Sequence, residues 1–421
     1  MVIIFPAGEV SRMKWFKILD GKWSKGAIHF SKKTNAPILP VYIKGRNSLL
    51  FYFVSALNKP LSTVLLIHEL FNKRNKEISF KIGDSISAKA ISDSLIADQL
   101  KTKLLKKHTY LVGKGKKGIF NTEKNVIHPT NIKKIYKEIK SAPLLNITKS
   151  NMRIVITNER TSPNIMREIS RLREITFRKV GEGTGKKKDI DKFDCEYDHL
   201  VIWDENELEI VGSYRIGNGA ELSKKNGDSS FYTSTLFEFN DEFRHEYLSG
   251  SIELGRSFVQ QKYWNTNSLN YLWMGIGAYL VNNPQIKYMF GPVSISNSYP
   301  KAAQEIIVFY FSKWFGTSRE LVKSRTMFKI SKKQDENLSA IFTGKNVKED
   351  YFILKKILKN FGFTVPVLYK HYTDLCEEGG AYFAGFNIDE SFGNCVDGFI
   401  VIEVDMIKPE KRERFMKSGI L

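Results

Sequence analysis

Between residues 173 and 256 the chain sets out carboxylates and guanidiniums in succession: Arg173, then Asp191, Asp194 and Asp198 in "DIDKFDCEYDHL", Arg215 in "VGSYRI", and Glu253 with Arg256 in "SIELGRSFV". A carboxylate can take a proton from a nucleophile and a guanidinium can hold a carboxylate or phosphate, although such pairs are more often structural salt bridges. Arg173 and Arg215 are expected to pair with acids of the 191–198 loop. Glu253 and Arg256 stand three residues apart, which on a flat strand puts them on opposite faces unless Gly255 marks a bulge. His199 precedes an apolar strand, where a histidine ordinarily satisfies a turn. Other chemistries have less support. "GKGKKG" at 113–118 lacks the Ser/Thr ending and leading strand of a phosphate-binding loop, and "GEGTGKKK" at 181–188 reads as a surface loop. Cys195, Cys376 and Cys395 are odd in number and far apart, so neither a disulfide framework nor a metal site is expected, and a reducing cytoplasmic setting fits them.

These side chains need a scaffold. "RIVITNE" at 153–159 reads as a strand. "SPNIMREISRLREITFRKV" reads as a helix with Ser162 as its cap, Pro163 in its first turn, and Ile165, Ile169 and Leu172 facing inward. That helix carries Arg173 and Phe177. "HLVIWDENELEIVGSYRIG" reads as a hairpin, and "SIELGRSFV", "IKYMFGPVSI" and "DGFIVIEVDM" as strands. "SLNYLWMGIGAYLVNN", "PKAAQEIIVFYFSKWF" and "YFILKKILKNFGF" read as helices. Hairpins interrupted by helices predict a mixed α/β sheet, not a parallel doubly wound one. Upstream, "APILPVYIKG" and "ISFKIGDSI" alternate with helical "WSKGAIHFSKKTN" and "TVLLIHELFNKR", a second α/β layer. Val2–Phe5 is expected as a buried strand and residues 91–112 as an amphipathic helix. Residues 113–150 read as a basic linker holding one short helix, "NIKKIYKEIK".

The 421 residues carry a net charge of +20, unevenly placed. Residues 1–150 hold 28 Lys/Arg against 9 Asp/Glu, whereas the remainder holds 37 against 36. The cationic half suits an anionic membrane surface or an acidic carrier protein. Nucleic acid is not expected, because the lysines lack an aromatic-interleaved or helix-turn-helix context. The densest apolar run, "SLLFYFVSAL" at 48–57, is about half the length of a membrane span.

The ordered features of 153–421 resemble the GNAT-type N-acyltransferases that make ornithine and related aminoacyl lipids, and more distantly the acyl-homoserine lactone synthases. "LWMGIGAYL", "YMFGPVSISNSYP" and "VPVLYKHYTDLCEEGGAYFAGFNIDESFGNCVDGFIVI" extend the match. The resemblance implies a GNAT-like mixed sheet with flanking helices. It implies direct attack of an amine on an acyl thioester whose carbonyl is polarised by backbone N–H groups at a splayed or bulged strand. It implies Glu253 as the base, and substrate-pocket roles for Arg173, Phe177, Asp191, Asp194, Arg215 and Arg256. Trp273 and Tyr299 would line the acyl or pantetheine channel. No permanently bound cofactor is implied; acyl carrier protein delivers the acyl group on its phosphopantetheine thioester.

"FPAGEVSR", "WSKGA", "KKTNAPILPVYIKGRNS" and "LLIHELFNK" resemble the C-terminal half of a lysophospholipid (1-acylglycerol-3-phosphate type) acyltransferase. The branch in question is fused to the N-acyltransferase in bifunctional aminolipid synthases and is sometimes labelled hemolysin-like. The family's Phe-Pro-Glu-Gly-Thr-Arg motif is altered, with Ala7 in place of its Glu. Glu9 and Arg12 lie nearby, and the resemblance implies that they hold the acceptor's polar head. The family's catalytic pair, a His followed at the fifth position by Asp, does not occur after His29, His68, His108 or His128. Residues 1–112 are therefore expected as a partial α/β acyltransferase domain, truncated and inactive alone, and 113–150 as the linker. Residues 151–421 are expected as the N-acyltransferase.

Together these features predict a cytoplasmic enzyme, peripheral on the membrane. It would move a 3-hydroxyacyl group from acyl carrier protein to the α-amine of ornithine or glycine in aminolipid synthesis, with an amino-acid or lyso-lipid acceptor as partner. Two alternatives are a homoserine-lactone-like signal synthase and a non-enzymatic, membrane-active hemolysin-like protein. The long extension after residue 300 speaks against the first, and the want of a long apolar insertion element against the second.

Overall fold

A computed structural model describes residues 1–14, 17–92 and 96–416. The chain forms two compact units, Met1–Asn125 and Val126–Leu421.

The first unit has a small core of Ala27, Ile28, Ile86, Ile91 and Leu105. Helices Gly26–Thr34 and Asp98–Gly113 and the antiparallel pair Val41–Lys44 with Ser79–Ile82 follow the sequence expectation. The helix expected over 91–112 begins its long run at Asp98; residues 93–95 lie outside the described residues. Leu49–Leu57 and Lys59–Asn72 make a helical hairpin. Ser48 and Asn58 cap its two helices by accepting the Phe51 and Leu61 amides. Val2–Phe5 is not a strand. An apolar run becomes a strand only beside a partner that takes its backbone groups, and none of the described strands pairs with it.

The second unit is built on one eight-stranded sheet: β1 (Leu144–Ile147), β2 (Met152–Thr157), β3 (Asp198–Asp204), β4 (Glu209–Asn218), β5 (Ser251–Val259), β6 (Tyr288–Ile295), β7 (Ala381–Asp389) and β8 (Cys395–Glu403). Its spatial order is β7-β8-β6-β5-β4-β3-β2-β1. Every pairing is antiparallel except β5 with β6. Helices α1 (Ile132–Ser141) and α2 (Pro163–Val180) share a core with β2, β3 and β4 through Ile135, Ile139, Ile165, Ile169 and Trp203. Helices α3 (Ser268–Asn282) and α4 (Lys301–Phe315) pack into the largest core through residues such as Trp273, Ile276, Ile307 and Phe311. The stretch expected as a linker thus divides. Its basic helix is α1, which buries Ile135 and Ile139 as the four-residue spacing allows, and Leu144–Ile147 adds the edge strand β1.

Ser162 does not cap α2; it accepts a hydrogen bond from the Thr157 hydroxyl. The first-turn amides of Asn164 and Ile165 are taken instead by the Glu138 carboxylate of α1 at 3.2 and 2.8 Å, which also complements the positive helix terminus. Gly181, at φ 82°, ends α2.

Two irregularities open the middle of the sheet. β5 and β6 pair only from Ser251–Glu253 against Tyr288–Phe290. At the fork they are in close contact, for a Cβ on Gly291 would lie 2.1 Å from the Leu254 carbonyl oxygen. Beyond it no β5–β6 pairing continues, and Pro292, which has no N–H to donate, is tolerated there. The second irregularity is a bulge. Phe258 and Gly255 oppose Ser213 and Arg215, so β5 carries one extra residue, and Arg256 takes a left-handed φ of 48°.

Candidate active site

The fork and the bulge enclose a cavity of about 130 Å³. One wall is Leu254, Gly255, Arg256 and Ser257 of β5; another is Pro292, Val293 and Ser294 of β6. Glu182, Asp397, Phe177, Phe392, Tyr232, Tyr214 and Tyr372 complete the polar and aromatic lining. The anticipated bulge therefore exists and places the Arg256 side chain, with its neighbours' backbone, at the cavity.

Behind this wall lies a buried ion network. Arg173 of α2 forks onto Asp194, with Nη1 donating to Oδ1 at 2.7 Å and Nη2 to Oδ2 at 3.0 Å. Its Nε donates to Asp189 at 3.0 Å. Arg215 of β4 donates through Nη1 to Asp191 at 2.7 Å and to Asp194 at 3.4 Å. Arg256 reaches Asp191 at 3.5 Å and Asp189 at 3.9 Å. The neighbouring guanidiniums hold the Asp194 carboxyl far below the usual carboxylate range against the opposing effect of burial. Asp198 stays out of the network and, among the described residues, accepts the Asn158 amide at 3.5 Å.

Arg256 is the cation of this network that lines the cavity. Among the described residues its Nε is buried without a hydrogen-bond partner, and its guanidinium lies 4.9 Å from the Tyr232 ring centroid and 4.5 Å from that of Phe392. Phe177 meets Phe392 edge-on at 5.1 Å, which fixes that ring from the α2 side.

Glu253 occupies different surroundings from those expected of a base. It does not line the cavity. Its buried carboxylate already accepts four hydrogen bonds, from the amide and hydroxyl of Thr233 at 2.7 and 2.5 Å, the Tyr232 amide at 3.2 Å, and the Tyr197 hydroxyl. What it touches is the turn that presents Tyr232 to the cavity. His199 is fully buried and neutral, its pKa pushed down to about 4 by desolvation, and it too lies off the cavity. Trp273 packs on Tyr372 and Phe415, and Tyr299 on Phe363, so neither is a wall of this cavity.

The carboxylates that do line it are two that sequence reasoning passed over. Glu182 follows the α2 cap in a loop folded around Glu174, whose carboxylate accepts the amides of Thr184 and Gly185 at 3.2 and 2.9 Å. Asp397 is on β8 opposite Ser294 of β6, whose hydroxyl donates to it at 2.6 Å. Burial, with the mutual repulsion of acids, pushes Glu182 up to about 8; burial pushes Asp397 up to about 7. Signals for both were present: Asp397 is the lone charge within the apolar run "CVDGFIVI", and Glu182 the lone acid in "GEGTG".

In the first unit, Arg12 Nη1 donates to Ser55 at 2.6 Å and Ser62 at 3.0 Å, and its Nε meets Glu9 at 3.3 Å. Glu9 and Arg12 are thus brought together. Among the described residues no cluster of His, Cys, Asp and Glu could hold a metal ion.

Residues 172–274, which include the bulged strand, match the family model described as "Acetyltransferase (GNAT) domain". The chain is 37% identical over 306 residues to a glycine N(alpha)-acyltransferase of Bacteroides thetaiotaomicron, covering 69% of this chain and 90% of that protein. It is 27% identical over 264 residues to an L-ornithine N(alpha)-acyltransferase of Brucella abortus, covering 57% and 82%. A 91-residue stretch is 32% identical to a lyso-glycine lipid O-acyltransferase of Phocaeicola vulgatus, covering 20% of this chain and 33% of that protein. The extent of the first match, together with a mixed sheet forked beside a bulge, shows that this chain is an acyltransferase and belongs to the family of GNAT-type amino-acid N-acyltransferases of aminolipid synthesis.

Proposed function

We propose that the chain transfers an acyl group, a 3-hydroxyacyl chain foremost, from the thioester of acyl carrier protein to the α-amine of glycine, with ornithine as the second acceptor. The observation that carries this reading is the cavity at the β5–β6 fork, where an incompletely paired guanidinium, carboxylates and bulged backbone meet. In it Arg256 holds the acceptor's carboxylate, and amides of the bulged 254–257 backbone polarise the thioester carbonyl. The buried Arg173–Asp194–Arg215 network fixes the floor beneath Arg256, and Glu253 positions Tyr232. The 28 basic residues within 1–150 favour an acidic carrier. The test mixes purified protein with 3-hydroxyacyl carrier protein or the same acyl group on CoA, and labelled glycine or ornithine. An N-acyl amino acid formed faster from the carrier supports the reading; thioester hydrolysis without amide formation refutes it, and preference for CoA refutes the carrier assignment.

Membrane association is carried by the first unit. Leu49, Phe53 and Leu57 on one helix of its hairpin and Val64, Leu70 and Phe71 on the other are each at least 65% exposed, and Arg46, Lys73, Arg74 and Lys76 flank them. No helix among the described residues is long and apolar enough to cross a membrane, so the hairpin would lie on anionic lipid, apolar face inward. There Arg12 and Glu9 would hold the head of a lyso-lipid acceptor. Co-sedimentation with phosphatidylglycerol vesicles but not phosphatidylcholine vesicles, weakened by Phe53→Glu, is the expected result; equal recovery with both would overturn it.

A further inference from the structure

Given the N-acyl transfer proposed above, we propose that Glu182 is the catalytic residue that takes the proton from the acceptor's amine, and that Asp397 is a positioning residue that tunes it. The amine must arrive neutral, so something beside the thioester has to accept a proton. Three carboxylates are near enough to consider. Glu253 has four donors on its two oxygens and no face on the cavity; protonating it would break hydrogen bonds that order the 232–233 turn. Asp397 lines the cavity but is wholly buried and already receives Ser294 at 2.6 Å and the Cys395 thiol at 3.6 Å. Glu182 is only partly buried, lines the same cavity, and its carboxylate makes no hydrogen bond to the described residues. It is the acid with a lone pair to offer.

Its surroundings suit the task. Arg256 faces it from β5 and would hold the acceptor's carboxylate, leaving the amine of an α-amino acid a bond or two away. Asp397 faces it from β8, Cys395 from the same strand, and Tyr299 from the segment after β6. Asp397 in turn faces Asp389 of β7, Arg256, Tyr232 and Tyr369. The nearest acid raises the Glu182 affinity for protons, and Arg256 lowers it without cancelling the effect of burial. A base that titrates close to neutrality is better matched to an ammonium than an ordinary carboxylate.

The step balances. The acceptor ammonium gives one proton to the Glu182 carboxylate and becomes an amine. Its nitrogen attacks the thioester carbon, the C–S bond breaks, and the second proton leaves nitrogen for the departing thiolate. The products are amide and thiol, and Glu182 returns its proton to solvent.

The test uses the full chain, glycine and 3-hydroxyacyl carrier protein, with kcat/KM followed across neutral to alkaline pH. The wild type should rise with pH through the Glu182 ionisation. Glu182→Gln should lower kcat/KM by about 10²–10⁴-fold and remove that rise. Glu182→Asp should restore part of the rate and keep the rise. Asp397→Asn removes the neighbouring negative charge and should move the rise to lower pH. A Glu182→Gln variant within tenfold of wild type, or an Asp397→Asn variant with an unmoved profile, overturns the assignment. Should a variant fail to fold, infrared or carbon-13 titration of Glu182 in the wild type decides: titration in the ordinary carboxylate range overturns it. A wild type that makes no N-acyl amino acid from any acceptor would instead refute the reading on which this rests.

Discussion

Asp194→Asn is the sharpest test of the buried ion network. Arg173, Arg215 and Arg256 face Asp189, Asp191 and Asp194, three cations against three anions in a largely buried region. Asn keeps the shape of Asp194 and one acceptor oxygen but leaves an uncompensated positive charge. It also turns an NH₂ toward guanidinium donors that now sit at 2.7 and 3.0 Å. Among the described residues Arg215 has no spare partner, since its Nε and Nη2 are already buried without one. Breaking a buried pair from one side costs roughly 3–5 kcal/mol. At ~2–4 °C per kcal/mol for a unit of this size class, the melting midpoint should fall by roughly 6–20 °C. Differential scanning calorimetry at neutral pH measures it. The pH dependence gives an independent check. The folded-state pKa of Asp194 is depressed, so its contribution is present above the ordinary carboxylate range and is lost as pH falls toward the folded value. The gap between wild type and variant should therefore narrow on acidification below about pH 4. A fall of less than 2–3 °C at neutral pH, or a gap independent of acid, would refute the view that these charges depend on one another.

Glu253→Gln should act through the 232–233 turn. One of its two oxygens, each of which accepts two hydrogen bonds, becomes an NH₂ facing donors, which costs about 1–3 kcal/mol and lowers kcat through a displaced Tyr232, while the pH profile keeps its position; a profile that loses its rise would make Glu253 the base. Arg256→Lys keeps the charge but not the planar fork and should raise KM for the amino acid tenfold or more with a smaller change in KM for the thioester, read from steady-state kinetics; equal changes in both would refute its role in holding the carboxylate. Gly291→Ala places a methyl 2.1 Å from the Leu254 carbonyl oxygen, so the fork must widen. Thermal unfolding should show a loss of about 1–3 kcal/mol and turnover should drop; wild-type behaviour in both would show that the fork tolerates spreading.

Local sequence signals settled six of the eight strands of the large sheet and most of the network's members. Apolar runs of strand length gave β2 to β6 and β8, the spacing of Ile165, Ile169 and Leu172 gave α2, longer apolar runs gave α3 and α4, and the Arg173–Asp194 and Arg215–Asp191 pairs follow the expected partnership. These are local signals, readable because side-chain periodicity and charge type are written residue by residue. The basic helix at 132–141 was legible as a helix but not as part of the second unit, because what buries Ile135 and Ile139 lies on elements farther along the chain.

Which carboxylates face the cavity was decided by the fold. Glu253 and Asp397 are both acids on strands paired on both sides, and their flanking residues alone do not distinguish a base from a tie. The distinction arises where β5 and β6 stop pairing, for that fork determines which side chains meet a cavity and which meet hydrogen-bond donors. Residue 182 reaches the same space from a loop after α2, and residue 397 reaches it from β8. Composition names the acids available for catalysis, but desolvation and proximity, which set their proton affinities, exist only once distant strands are brought together.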